Sequence, residues 1–315
     1  MTQMQQLYAH LCRYTHAQWI DTVELLSANI HPIDRDATRI WFAFYPLNLH
    51  LALEAASDKA ALQRRLVLMG KWGLADSIDS SHRFLYAHRF WPQVKSAIAG
   101  TDHFPDSLAA LVSQVADGAS RTARVDRDRL LGMAAVGLMT LRQAGADAFG
   151  AAPGTVHLSE RVRARSTHQV MTARAKDDWQ GPFGFLRGIR KRWTVTFDEN
   201  APDSTFVAVN NQEVASAAQS DKREYRSKDP RCIPNEGPIP VECRSASCGT
   251  CWVGILGGAT KLSPVEKHEA VRMKVFGYAD IREGSQPPIR LACQARAMGA
   301  VTIVIPPWNG IISRL

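Results

Sequence analysis

Three cysteines fall within nine residues, Cys243-x4-Cys248-x2-Cys251, and a fourth, Cys293, follows 42 positions later. No other feature constrains the chain as strongly. Five of the six cysteines lie in the last third, and Cys12 stands apart. Six in 315 residues is too sparse for a disulfide-stapled scaffold, so the cluster points to metal or redox chemistry. The intervening residues Ser245, Ala246, Ser247, Gly249 and Thr250 are small. A backbone of that kind can wrap closely around a small centre and turn its N–H groups toward sulfur. Zinc sites usually pair one C-x2-C with another, or with a spaced His pair, and the sequence has neither. Zinc and free thiols remain the alternative readings of the four cysteines.

The rest of the chain divides by pattern. Residues 1–150 read as an all-α domain. Leu7, Leu11 and Tyr14, then Trp19, Val23, Leu26 and Ile30, recur three or four apart. HPID at 31–34 is read as a break, with the period resuming at Ile40, Phe44, Leu47 and Leu51. Leu62, Leu66 and Met69 mark a short third element. A fourth helix is predicted from Ala75 to Trp91, stopped at Pro92. A fifth spans Leu108 to about Gly118, and a sixth, capped by Asp126, runs to Leu141. The longest apolar run, Leu130 to Leu141, is twelve residues, short of the ~20 needed to span a bilayer, and reads as a core helix. Cys12, beside Leu11, is placed on the apolar face of the first helix. His10/His16 and His82/His88 are each six apart, which does not put two side chains on one α-helix face.

From Trp193 the pattern becomes α+β. WTVTF and TFVAV are predicted strands, EVASAAQ a short helix, and 219–240 an irregular Pro-rich loop holding Cys232. CWVGIL follows as a strand, with Trp252 assigned to the core. A helix is predicted from Ser263 as cap with Pro264 at its first position, and AVTIVIP closes the domain. The predicted layout is a helical domain at 1–150, a basic linker at 151–192 and an α+β domain at 193–315.

PVECRSASCGTC and RLACQARAMGAVTIVIP carry a resemblance. Residues 193–315 resemble the [2Fe–2S] ferredoxins of the plant and adrenodoxin types, with C-x4-C-x2-C and a distant fourth Cys. The resemblance implies a β-grasp fold and a single [2Fe–2S] cluster. It implies cluster ligands at Cys243, Cys248, Cys251 and Cys293, with Arg244, Ser245, Ser247 and Gly249 shaping the loop around them. It also implies one-electron transfer between a protein donor and a protein acceptor, rather than catalysis by this chain alone. The domain here is near neutral, unlike the usually acidic plant proteins, so their partners are not carried over. Residues 1–192 resemble no family recognised from their sequence.

The net charge of +8 is concentrated. Residues 161–192 hold nine Lys or Arg and two Asp or Glu, a local net of +7. The segment reads as a linker that also docks on an acidic partner. Its interleaved aromatic and basic residues also suit the surface of an anionic membrane. A nucleic-acid role lacks any recognition motif. No dinucleotide fingerprint, Walker A, nucleophile elbow or HExxH is present, and the N-terminus shows no secretory signal. The expectation is a cytoplasmic electron-transfer protein, peripheral to a membrane, serving a larger respiratory or photosynthetic oxidoreductase complex. A redox-sensing regulator whose helical domain is the output is the competing expectation.

Overall fold

The computed structural model describes residues 1–44, 57–58, 77–183, 190–276, 278 and 281–306. The chain forms two compact units, Met1–Leu51 with Gly73–Thr167 and Ala52–Trp72 with His168–Leu315. The expected apolar period at Leu47, Leu51, Leu62, Leu66 and Met69 lies outside the described residues.

The first unit is helical among its described residues, with α1 (Gln3–Leu11), α2 (His16–Ser27), α3 (Pro32–Phe44), α4 (Trp91–Ala99), α5 (Leu108–Ala123), α6 (Asp128–Ala144), α7 (Ala146–Ala151) and α8 (Glu160–Arg163). Both α1 and α2 begin with a capping box. Thr2 and Thr15 accept the amides of Gln5 and Gln18, whose side chains accept the cap amides in return. The axis of the bundle is α6, with every residue from Leu130 to Gln143 buried. Helices α1 to α5 all pack on it. Gly132 sets the closest approach, since a Cβ there would lie 2.2 Å from Thr38 Oγ1 on α3. No helix among the described residues is long and apolar enough to cross a membrane.

Several local expectations are corrected. Pro32 and Pro92 do not break helices but occupy the first turns of α3 and α4, where the missing N–H has no intrahelical partner to lose. The predicted helix ending at Trp91 is instead a run of turns and a 3-10 helix, Tyr86–Phe90, pinned by Asp34. The buried Asp34 carboxylate accepts the amides of Tyr86 at 2.6 Å and Ala87 at 2.8 Å. Cys12 is exposed rather than core, because it caps α1 after Leu11 has turned inward. Asp126 pairs with Arg129 at 2.9 Å and does not cap α6.

The second unit contains α9 (Thr167–Ala175), β1 (Arg192–Thr196), β2 (Thr205–Val209), β3 (Gln212–Glu213), α10 (Val214–Ala218), β4 (Trp252–Gly257), α11 (Lys267–Val275), β5 (Ile289–Leu291), β6 (Arg296–Ala297) and β7 (Val301–Val304). Its main sheet runs β2-β1-β7-β4-β5, with β1 parallel to β7 and the other neighbours antiparallel; β3 and β6 pair separately. This is the α+β, β-grasp layout expected. The alternating TFVAV buries Phe206 and Ala208 against α10 and leaves Val207 and Val209 outside. Strand β7, at the centre, is buried throughout.

Residues 174–180, inside the stretch read as linker, are bonded to this sheet. Arg174 makes a bidentate pair with Glu199 at 2.9 and 2.6 Å. Asp177 accepts Ala300 N–H at 2.9 Å and pairs with Lys261 at 2.8 Å. Asp178 accepts Thr194 N–H, and Gln180 exchanges two hydrogen bonds with the backbone of Arg192. Helix α11 starts at Lys267, later than predicted, because the Ser263 hydroxyl accepts Arg296 N–H at 3.1 Å instead of capping. Glu269 of α11 and Arg290 of β5 form a buried bidentate pair at 2.9 and 2.7 Å.

In the helical unit the chain between His82 and His88 is not α-helical, and it brings the two rings together. Their Nδ1 atoms lie 2.9 Å apart, and His82 Nε2 is 3.1 Å from Ile78 O. Burial, then the neighbouring His88, holds His82 well below the usual histidine range. Burial, then Arg83, holds His88 at about 4, down from 6.5. A base depressed in the fold binds its proton better when unfolded. Stability from this pair is therefore complete above pH 6.5 and lost as the pH falls toward 4. Urea denaturation across that range should show a decline of about 3 kcal/mol from His88 alone, flattened in a His82→Phe, His88→Leu double variant.

Candidate metal centre

The loop from Cys243 to Cys251 is built from left-handed turns. Arg244, Ala246 and Gly249 have φ of 53°, 58° and 70°. Two of these are not glycine, so the conformation costs energy that the surroundings must offset. At Gly249 a side chain would be strained twice over, by the left-handed backbone and by the Phe276 ring 3.0 Å from where a Cβ would be. The curl turns amides onto sulfur: Ser247 N–H and Cys248 N–H donate to Cys243 Sγ at 3.2 and 3.3 Å. Thr250 braces the loop from inside, with its hydroxyl 3.1 Å from Cys248 Sγ while accepting Glu242 N–H at 3.2 Å.

The residues singled out in the loop take different places. Ser247 supplies a backbone donor, and Ser245 and Ser247 bond to each other at 3.0 Å. Arg244 reaches Gln219 and pairs with Glu236 at 2.9 Å, so it ties the loop to residues 219–236. Cys232 is buried and donates to Pro238 O at 3.4 Å. Burial, then Asp229, pushes its thiol up to about 12. Trp252 is buried against Phe276 and Tyr278, at 5.5 and 5.0 Å between ring centroids.

Sequence reasoning missed the outer brace. His268 Nε2 lies 3.0 Å from Ser245 O. Arg272 donates to Ala246 O at 3.2 Å and to Ser247 O at 2.8 Å. Three successive loop carbonyls are thus held by one face of α11, one turn apart. The same helix fixes the fourth cysteine through Glu269 and Arg290, since β5 leads directly into Cys293. The i, i+4 spacing of His268 and Arg272 was the available signal, but it does not say which carbonyls lie opposite.

The four thiols influence one another. Cys243 is hydrogen-bonded to Cys248. Although burial pushes its thiol up, backbone and side-chain donors from Ser245 and Cys248 outweigh this and lower it to about 6. Cys251 donates to Cys293, which raises Cys251 together with burial and lowers Cys293. Gln294 and the Ala246 backbone add to the lowering of Cys293, against burial and the charge of Cys243, which raise it. Among the described residues no three His, Cys, Asp or Glu side chains gather as a site for one ion. Four thiols that act on one another, with two N–H groups on the Cys243 sulfur, suit a two-iron centre in which each iron takes two thiolates.

Residues 234–298 match the family model of the 2Fe-2S iron-sulfur cluster binding domain. The C-terminal unit carries a [2Fe–2S] ferredoxin-type domain. Its cofactor is a [2Fe–2S] cluster, and electron transfer is the chemistry such a domain performs. No curated protein and no solved structure matches this chain. The match covers the cluster segment, and residues 219–233 precede it as an irregular loop. That loop is locked by Arg223 on Thr205 O at 2.8 Å and by Arg231 on Asp229.

Arg272→Gln removes a charged donor from two loop carbonyls. Loss of iron to a chelator should be roughly tenfold faster in this variant than in the parent ferredoxin-type domain, followed by bleaching of visible absorbance. Helix content should not change, because α11 keeps its buried Glu269–Arg290 anchor.

Proposed function

We propose that Cys243, Cys248, Cys251 and Cys293 are the cluster ligands and that the chain is a one-electron carrier. The observation that carries this reading is the loop that turns the Ser247 and Cys248 amides onto Cys243 Sγ, in a site where Cys243, Cys248, Cys251 and Cys293 act on one another. When bound, the cluster takes up and gives back one electron without making or breaking a substrate bond. The chain's own residues set the terms. The amides of Ser247 and Cys248 stabilise negative charge on the Cys243 sulfur, which favours the reduced state. Gly249 lets the loop close beneath Phe276, while Arg244 and Ser245 keep it curled.

The donor and acceptor are proteins, and the reading assigns the chain to a larger oxidoreductase complex. A cluster-binding domain folds with ~100 residues, so residues 1–150 serve as a docking domain in this proposal. A cytoplasmic setting fits six cysteines none of which is in a disulfide.

Anaerobic reconstitution with iron and sulfide assays, then a redox titration followed by low-temperature EPR, tests the proposal. The expected result is two irons and two sulfides per chain and one rhombic signal on one-electron reduction. Serine at Cys243, Cys248, Cys251 or Cys293 should abolish or displace that signal, whereas Cys12→Ser and Cys232→Ser should leave it intact. Zinc binding in place of iron, or a signal that survives all four substitutions, defeats the assignment.

A further inference from the structure

The segment read as a linker contains an aromatic site that the fold holds in the open. Trp179 is 84% exposed and Phe183 67% exposed. Trp179 is the one exposed tryptophan among the described residues. Isolated exposed apolar residues are common and need no explanation. Here, however, the residues on either side of Trp179 are tied down: Asp178 accepts Thr194 N–H, and Gln180 is bonded both ways to the Arg192 backbone. With residues 178 and 180 fixed to β1, the indole between them has no route back to the core. The exposure is therefore built into the fold.

The Gln180–Arg192 bonds also place the start of β1 beside this turn, and with it Arg190, Lys191 and Arg192. Lys176 lies on the other flank. None of these four cations forms an ion pair among the described residues, unlike Lys261, Arg174 and Arg231 nearby in the same unit. The acidic residues in reach are already used, Asp177 by Lys261 and Asp178 by the sheet.

We propose that Trp179 and Phe183, with Lys176, Arg190, Lys191 and Arg192, form a contact surface for an anionic lipid bilayer. The chemistry matches in two ways. Tryptophan favours the headgroup level of a membrane, where its ring is apolar and its N–H stays wet. Unpaired Lys and Arg beside it are attracted to anionic headgroups, and the attraction weakens with salt. An acidic protein surface would satisfy the cations but gives no role to the outward-held Trp179 ring or to the exposed Phe183 ring.

The test is vesicle co-sedimentation of the whole protein. One set of vesicles is phosphatidylcholine alone and the other is mixed about two to one with phosphatidylglycerol. Partitioning should be at least about tenfold greater onto the anionic vesicles and should fall with added salt. Trp179 emission should shift to the blue and become shielded from acrylamide. A Trp179→Ser, Phe183→Ser variant should lose most of the binding while keeping its melting temperature, because neither ring is packed. An Arg190→Gln, Lys191→Gln, Arg192→Gln variant should bind both vesicles equally weakly. The proposal is overturned if anionic vesicles are not bound, or if binding survives loss of both rings. It is also overturned if polyglutamate captures the protein and the vesicles do not. Cluster content is measured separately in the same samples, so failure of the electron-carrier reading would leave this result interpretable.

Discussion

The buried pair of Glu269 and Arg290 is the contact on which the metal centre depends. It joins α11 to β5 with two charge-assisted hydrogen bonds, and Leu291 N–H adds a third bond to the same carboxylate at 3.1 Å. Both partners are almost fully removed from water, so losing either leaves a buried charge without its counterion, a cost of about 3–5 kcal/mol. The larger consequence is geometric. Helix α11 reaches the cysteine loop through His268 and Arg272, and β5 delivers Cys293. One ion pair thereby sets the distance between a loop that brings three thiols and a strand that brings the fourth.

The division of labour in that loop follows from peptide geometry. An amide turned toward a sulfur sends the carbonyl of the same peptide unit the other way. Every N–H presented inward in the Cys243–Cys248 turn therefore creates an outward acceptor. Arg272 and His268 occupy those acceptors, and the left-handed residues Arg244 and Ala246 supply the curl. Inner and outer faces are two sides of one requirement.

The cysteine spacing was legible because it is local, and so were the core strands and the apolar run that became α6. Trp252 was read correctly as packing material. The outer brace was not legible, because Arg272 and Ala246 are 26 positions apart and only the folded sheet makes them neighbours. Pro32 and Pro92 show a different ambiguity. Proline ends one helix and starts another with the same chemistry, and only the Asp34 contact with Tyr86 and Ala87 decides between them. The His82–His88 pair escaped detection because an α-helical ruler was applied to a stretch that is turn and 3-10 helix. Charge counting made 161–192 a basic linker that also docks on a partner. Its two aspartates and one of its glutamines bind the sheet and give the stretch its shape.

The four thiols differ in their access to solvent. Cys243 and Cys248 are half-buried, whereas Cys251 and Cys293 are only 2% and 1% exposed. On the proposed ligand set the edge of the centre closest to solvent is at Cys243 and Cys248. A donor and an acceptor that both dock at that edge compete for it and cannot occupy it at once. Throughput is then governed by how quickly one partner yields to the next. A partner that grips this edge more tightly speeds its own exchange while slowing the traffic as a whole.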